Sequence, residues 1–278
     1  GFKTTEISVA NQTNINVALS NDVSQLDEVV LVGYGSLARK AVTSAVASVN
    51  TEDFNKGNIN TPSQLLQGKV SGLNIARPGG DPNGEFSIRL RGISTLGANS
   101  TPLIVIDGLV GGSLQSVDPN DIASIDVLKD GGAAAIYGTR GSSGVILITT
   151  KKGKANVSEL NYSGYTTFES QARRTEVADA AQFSSLPNVT TSNILGSDTD
   201  WLEEVSQTAI GQVHNISAGG GSDKATYRAS LNYRDIQGIQ KNTGFEQIIG
   251  RISVQQRAVN DRLRINAVVS GTKREENR

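Results

Sequence analysis

The sequence contains no cysteine, no methionine and a single histidine, His214, in 278 residues. Without thiols there is no disulfide framework, no thiolate zinc site and no cysteine nucleophile, and one imidazole cannot build a multi-histidine metal centre. A surplus of charge is missing as well. The 26 Lys and Arg against 27 Asp and Glu leave a net charge of −1 and a pI near 6.0, which is no basic footprint for nucleic acid. Aromatics make up only 5% and hydrophobic residues 37% of the chain. There is also no run of about 18 apolar residues, so no helix is expected to span a membrane. That test does not touch a β-barrel, whose strands alternate and never look apolar on average. Glycine, by contrast, is plentiful at 30 residues, which favours turns and sheet features over helices. Because the chain starts at Gly1 and holds no methionine, its N-terminus is expected to be processed or cut.

Residues 1–20 read as two short strands, Phe2 to Val9 and Asn14 to Leu19, around a polar turn. After a polar stretch comes Leu26 to Gly35, an extended apolar run ending in Gly33-Tyr34-Gly35, which reads as a strand with no neighbour in sequence. A Ser/Thr/Ala-rich linker follows, with one further strand at Val42 to Val49. Thr61-Pro62-Ser63-Gln64 is a helix start with an N-cap, a first-turn proline and a capping-box glutamine. Its apolar face would run through Leu65, Leu66, Val70 and Leu73. Short strands are expected at Leu73 to Ala76, Phe86 to Arg91 and Leu103 to Asp107. Asp118-Pro119-Asn120-Asp121 begins a short helix leading into Ile125 to Lys129, Ala133 to Tyr137 is a small-residue helical turn, and Gly144 to Thr150 is a strand of the buried type. The segment 50–153 is therefore a compact α+β unit.

Beyond Gly153 the period becomes two. In Ala225 to Arg234, Ala, Tyr, Ala, Leu and Tyr alternate with Thr, Arg, Ser, Asn and Arg. No helix has that period. The same alternation holds for Leu160 to Glu169, Ile248 to Gln255 and Leu263 to Ser270, with a weaker strand at Gln212 to Gly219. Long and short connections alternate as in outer-membrane barrels, but a soluble sandwich also alternates, and the pattern alone leaves both open.

No catalytic constellation emerges. Val32 to Ala38 lacks the third glycine and the following helix of a dinucleotide loop. There is no Gly-x-Ser-x-Gly elbow to partner His214, and Asp81 to Glu85 lacks the spacing of a calcium loop and reads as a turn. Catalytic, cofactor-binding and metal-ligating residues are all assigned as none, and the protein is expected not to be an enzyme.

Three segments, Asp118 to Asp130, Ala133 to Gly141 and Gly144 to Gly153, together resemble the plug-domain signature of SusC/RagA-type TonB-dependent outer-membrane receptors of Bacteroidota. The likeness extends upstream through Ile88-Arg89-Leu90-Arg91-Gly92-Ile93 and Pro102 to Gly108, and downstream through Thr199-Asp200-Trp201. Asp27 to Gly35 is similar to the family's segment associated with the TonB box, and residues 1–20 look like the tail of a carboxypeptidase-regulatory-like domain.

The resemblance implies an α+β plug domain followed by antiparallel β-strands of an incomplete transmembrane β-barrel. The division expected is 1–25 for the regulatory-like β tail, 26–49 for the TonB-box-like segment and linker, 50–153 for the plug, and 154–278 for about five barrel strands. Such receptors have 22 strands, so further strands are expected beyond Arg278. The activity implied is TonB-dependent import of an oligosaccharide, or alternatively a peptide, across the outer membrane. The implied partners are TonB, a SusD-like lipoprotein and the glycan or peptide substrate, with the plug and N-terminus reached from the periplasm. The TonB-contacting segment implied is Asp27, Glu28, Val29, Val30, Leu31, Val32, Gly33 and Tyr34, while substrate-binding residues stay unassigned. Arg89, Arg91, Asp107, Lys129, Asp130 and Arg140 are expected to form structural pairs within the lumen, and Arg228, Arg234, Arg251 and Arg264 to face the plug. The competing readings are a passive or structural outer-membrane barrel and a soluble β-rich binding module.

Overall fold

A computed structural model describes residues 29–32, 35–38, 46–77, 79–92, 100–130, 134–186, 196–260 and 262–277. The two strands expected within residues 1–20 lie outside these. Strand β1, Val29–Val32, does have a neighbour. It pairs antiparallel with β2, Gly35–Ala38, in the register Val29 to Ala38 and Val32 to Gly35. The sequence reading of a lone strand is thereby corrected. The intervening dipeptide Gly33-Tyr34 is of the Gly-X kind that suits a two-residue hairpin.

The α+β unit is built on a mixed five-stranded sheet. Its strands are β3 (Val46–Asn50), β6 (Leu103–Ile106), β7 (Leu109–Val110), β8 (Ile122–Leu128) and β9 (Val145–Thr150), in the order β3-β8-β9-β6-β7. Strands β6 and β9 run parallel, and the remaining pairs are antiparallel. Both faces are covered, which is why Val145 to Ile148 is continuously apolar rather than alternating. On one face Ile125, Val127, Ile146 and Ile148 pack with Leu65 and Leu66 of helix α1 (Pro62–Leu66) and with a hairpin of β4 (Leu73–Ala76) and β5 (Ser87–Leu90). On the other, Val105, Leu128, Val145 and Leu147 pack under Ala134 and Tyr137, next to and within the 3₁₀ turn Ala135–Gly141.

Helix α1 is shorter than the sequence suggests, because Gly68 has a φ of 76° and Gln67 is already extended, so Val70 and Leu73 join the core from a turn and a strand. Its N-terminal box is half made. Gln64 Oε1 accepts the Asn60 and Thr61 amides, while the Thr61 hydroxyl has no partner. Residues Pro119–Asp121 form one 3₁₀ turn capped by Asp118, whose Oδ1 accepts the Asn120 amide, and the strand then starts at Ile122, earlier than expected. Asp118 bonding its own backbone two residues on favours this turn over a regular helix.

Five strands then form an antiparallel meander: β10 (Glu159–Glu169), β11 (Ala209–Gly221), β12 (Ala225–Gln237), β13 (Gly244–Ala258) and β14 (Leu263–Asn277), hydrogen-bonded in that order. Between β10 and β11 lie the short helices α2 (Ala180–Ser184) and α3 (Trp201–Glu204). The two faces differ as the alternation requires. Tyr227, Leu231, Ile248, Ile252 and Val269 are exposed outward, while Arg228, Ser230, Asn232, Arg234 and Arg251 are buried inward against the α+β unit.

Ile125 is fully buried on β8 whereas Leu109 is 70% exposed. Ile125→Ala is expected to destabilise the fold by about 2–5 kcal/mol, and Leu109→Ala by less than about 0.5 kcal/mol, in denaturant titrations.

Candidate functional site

The inward row of β12 reads Arg228, Ser230, Asn232, Arg234, and a period of two sends all four side chains toward the same partner. That partner is the turn capped by Asp118. Arg234 binds Asp118 with both arms of its fork, Nε to Oδ2 at 2.6 Å and Nη2 to Oδ1 at 3.1 Å, and its Nη1 donates to the Ile59 carbonyl at 2.8 Å. Arg234 is 1% exposed and Asp118 equally so. Three residues on, Asp121 accepts from Ser230 Oγ at 2.7 Å and Asn232 Nδ2 at 2.8 Å, and Arg228 Nη2 lies 3.3 Å away. Asn215 of β11 in turn donates to Asn232 Oδ1, extending the network sideways. Beside the turn Lys151 donates to the Asn120 carbonyl, and burial, followed by the nearby Arg228, lowers its pKa. Its charged form is therefore held at a cost that shrinks as pH rises toward the usual lysine range.

A second contact starts from Asp107, which joins β6 to β7 in a left-handed conformation at φ 48°, followed by Gly108 at φ 90°. Positive φ at both central residues suits the Asp-Gly dipeptide to a tight hairpin turn. This turn lays the Asp107 carboxylate over β9, where Oδ1 accepts the Thr150 amide at 2.9 Å and Oδ2 the Thr150 hydroxyl at 2.7 Å. Arg251 of β13 closes the group as an ion pair with Oδ2.

A third contact was missed by sequence reasoning. Asp81 to Gly84 is a turn, as expected, but the turn is also a docking point. Asn83 donates to the Gly244 and Asn277 carbonyls at 2.8 and 2.9 Å, and its Oδ1 accepts from Arg274 at 3.0 Å. The Arg274 guanidinium also stacks 3.7 Å over the Phe245 ring. Nothing local to Asp-Pro-Asn-Gly signals partners more than 160 residues away. At the junction with the five strands, Gly153 passes so close to β12 that a Cβ there would sit 2.1 Å from the Tyr227 carbonyl oxygen.

The expected pairings hold unevenly. Arg91 pairs with Asp130 at 2.5 Å, and among the described residues Lys129 reaches only the Ser71 carbonyl, at 3.4 Å. Among the described residues Arg89 and Arg140 have no ion pair, and Arg140 lies instead against Gly111. Arg228, Arg234 and Arg251 face the α+β unit as read. Arg264 has the same inward parity, but it is exposed and lines a cavity at the edge of the α+β unit rather than pairing with one of its carboxylates. His214 stacks between Tyr162 and Tyr233 and shares a 2.8 Å hydrogen bond with the Tyr162 hydroxyl. Of the segment Asp27 to Tyr34, the described residues are Val29, Val30, Leu31 and Val32, all in β1; Asp27, Glu28, Gly33 and Tyr34 lie outside the described residues. Among the described residues no group of acidic or histidine side chains is arranged to hold a metal.

Arg234→Met strips a buried carboxylate of its partner. It is expected to cost about 3–5 kcal/mol by chemical unfolding followed by circular dichroism, with Asp118→Asn on the same chain recovering part of the loss. Gly153→Ala forces the two units apart and is expected to raise the rate of limited proteolysis within residues 100–153 several-fold, with the β-sheet signal kept.

Residues 38–145 match the family model described as the TonB-dependent receptor plug domain. The chain is 35% identical to the TonB-dependent receptor SusC of Bacteroides thetaiotaomicron over 96% of its own length and 28% of that receptor's. It is 36% identical to the TonB-dependent receptor P3 of Formosa agariphila, over 89% of this chain and 25% of the relative. It thus spans about a quarter of the length of these relatives. Among solved structures it superposes on the RagAB peptide importer in its open-open state with a TM-score of 0.80 at 28% identity, covering 90% of this chain and 32% of that one. The siderophore receptor PirA from Acinetobacter baumannii, at 19% identity and a TM-score of 0.55, shares the fold. A mixed plug sheet pinned by buried aspartates to an alternating β-wall, together with these likenesses, makes the chain a member of the SusC/RagA-type TonB-dependent receptors.

Proposed function

We propose that the chain supplies the plug and first wall strands of a receptor that imports a nutrient across the bacterial outer membrane by a TonB-driven step. The observation that carries this is the division of the wall into two faces. Its inward row is engaged by plug carboxylates, whereas its outward row is a broad exposed apolar surface. An exposed apolar face spread over several adjacent strands suits lipid and is unsuited to water, which disfavours the soluble binding module. A passive pore needs an open lumen, and here a packed sheet held by buried ion pairs lies against the inward face.

The nutrient is an oligosaccharide or a peptide, and the likeness to the RagAB peptide importer supports the peptide. A SusD-like lipoprotein is the external partner. Residues 50–153 form the plug, 154–278 the wall and 26–49 the linker with its TonB-contacting segment, and the plug and N-terminus are reached from the periplasm. In this arrangement the wall turns at residues 222–224 and 259–262 face the periplasm and the long connection 170–208 faces outward, in keeping with short periplasmic turns and longer external loops. The receptor's work is mechanical and electrostatic.

TonB engages Asp27 to Tyr34. Strand β1 bonds to β2 along one edge, and its other edge can take a partner strand through main-chain hydrogen bonds. Pulling on this segment loads β3, the edge strand of the plug sheet, which is tied to β8 alone among the strands.

Deleting residues 27–34 from the receptor in its host is expected to abolish energised uptake while its outer-membrane level and heat-modifiable gel mobility stay unchanged. Normal uptake by the deletion variant would sink the TonB assignment.

A further inference from the structure

A cavity of about 1040 Å³ opens between the β6–β7 edge of the plug sheet, the end of β9 and wall strands β13 and β14. Its charged lining is lopsided: Lys152, Arg251, Arg257 and Arg264 against Asp107 alone. That single carboxylate is already spent on Arg251 and Thr150. Arg257 and Arg264 are direct cross-strand partners in the β13–β14 register, and both have inward parity. Like charges placed opposite one another on a sheet repel, and neither arginine has a carboxylate partner among the described residues. Lys152 has none either. Arg251 adds an independent sign. It is 8% exposed, it lines the cavity, and its Nε is a buried donor with no hydrogen-bond partner. An N–H left open in this way costs about 1–3 kcal/mol unless an acceptor arrives.

We infer that this cavity is an anion-binding site, taking a carboxylate, sulfate or phosphate group of a soluble ligand between Arg257 and Arg264 with Lys152 and Arg251 Nε at its margin. Directly opposed residues on neighbouring strands have Cβ atoms about 5 Å apart, so two guanidinium forks can converge on one oxyanion. Planar forks of this kind are matched to such groups. An oxyanion relieves the Arg257–Arg264 repulsion and offers Arg251 Nε its missing acceptor. The apolar lining from Val105, Leu147 and Val268 leaves room for the ligand's uncharged body. The site rests on the cavity alone and stands whether or not the receptor imports through a TonB-driven step.

The test uses the receptor purified in neutral detergent and pyranine, a trisulfonated fluorescent pyrene, followed by anisotropy. Wild type is expected to bind pyranine at low ionic strength, with affinity falling steadily as salt is added. Arg257→Gln/Arg264→Gln is expected to weaken binding by about tenfold or more, and Lys152→Gln by several-fold. The double lysine variant, Arg257→Lys/Arg264→Lys, is expected to retain salt-dependent binding, weaker than wild type. Because the double glutamine change removes a repulsion, its unfolding midpoint is expected at or above that of wild type. Unchanged affinity in the double glutamine variant, an absence of salt-dependent binding by wild type, or a lowered midpoint that assigns the arginines a structural role would each overturn the proposal.

Discussion

The pair formed by Arg234 and Asp118 is the contact around which the rest is arranged. Both groups are almost wholly removed from water, and an isolated charge in that position would be expensive by several kcal/mol. The cost is tolerable because the guanidinium has three acceptors, two on the carboxylate and one at the Ile59 carbonyl, and because Asp118 also caps its own turn. Geometry this exacting leaves little freedom. The turn must sit at one height on β12, which fixes where Asp121 meets Ser230 and Asn232 and where β8 enters the plug sheet.

The wall separates its chemistry by side. Arg228, Ser230, Asn232 and Arg234 of β12 and Arg251 of β13 are inward and bonded to plug carboxylates, and Tyr227, Leu231, Ile248 and Ile252 are outward. Averaged along the chain these cancel, which is why a mean hydropathy of −0.25 and a near-neutral charge resemble an ordinary water-soluble domain. The plug reverses the arrangement, with apolar residues on both faces of its sheet and the carboxylates that bind the wall, Asp107, Asp118 and Asp121, at turns.

Much of this was legible in the sequence, and the reason differs by element. Strands β10 to β14 were readable because period two is a local property, and β9 because a strand covered on both faces is apolar throughout. Asp118 and Pro119 announced a turn correctly, but the number of residues in it depended on the Asp118 carboxylate choosing the Asn120 amide. The contacts that matter most were out of reach. Asp121 and Ser230 are 109 residues apart, and Asn83 and Asn277 are 194 apart, so no window of sequence contains both ends. Arg228, Arg234 and Arg264 look alike in an alternating strand, yet only the first two lie at the height of a plug turn. The β1–β2 pairing is a local feature, carried by the two residues Gly33-Tyr34 between two short strands.

The inward row of β12 also acts as a ruler. In a sheet with period two, sliding a strand by one residue turns every side chain to the opposite face. On β12 that slip would place Arg228 and Arg234 against hydrocarbon, at about 2–4 kcal/mol apiece near the bilayer middle, and leave Asp118 and Asp121 buried without counter-charges. A slip by two residues keeps the faces but moves Arg234 roughly 7 Å from Asp118. The plug thus reads the alignment of the wall that surrounds it, and only one alignment satisfies both aspartates at once.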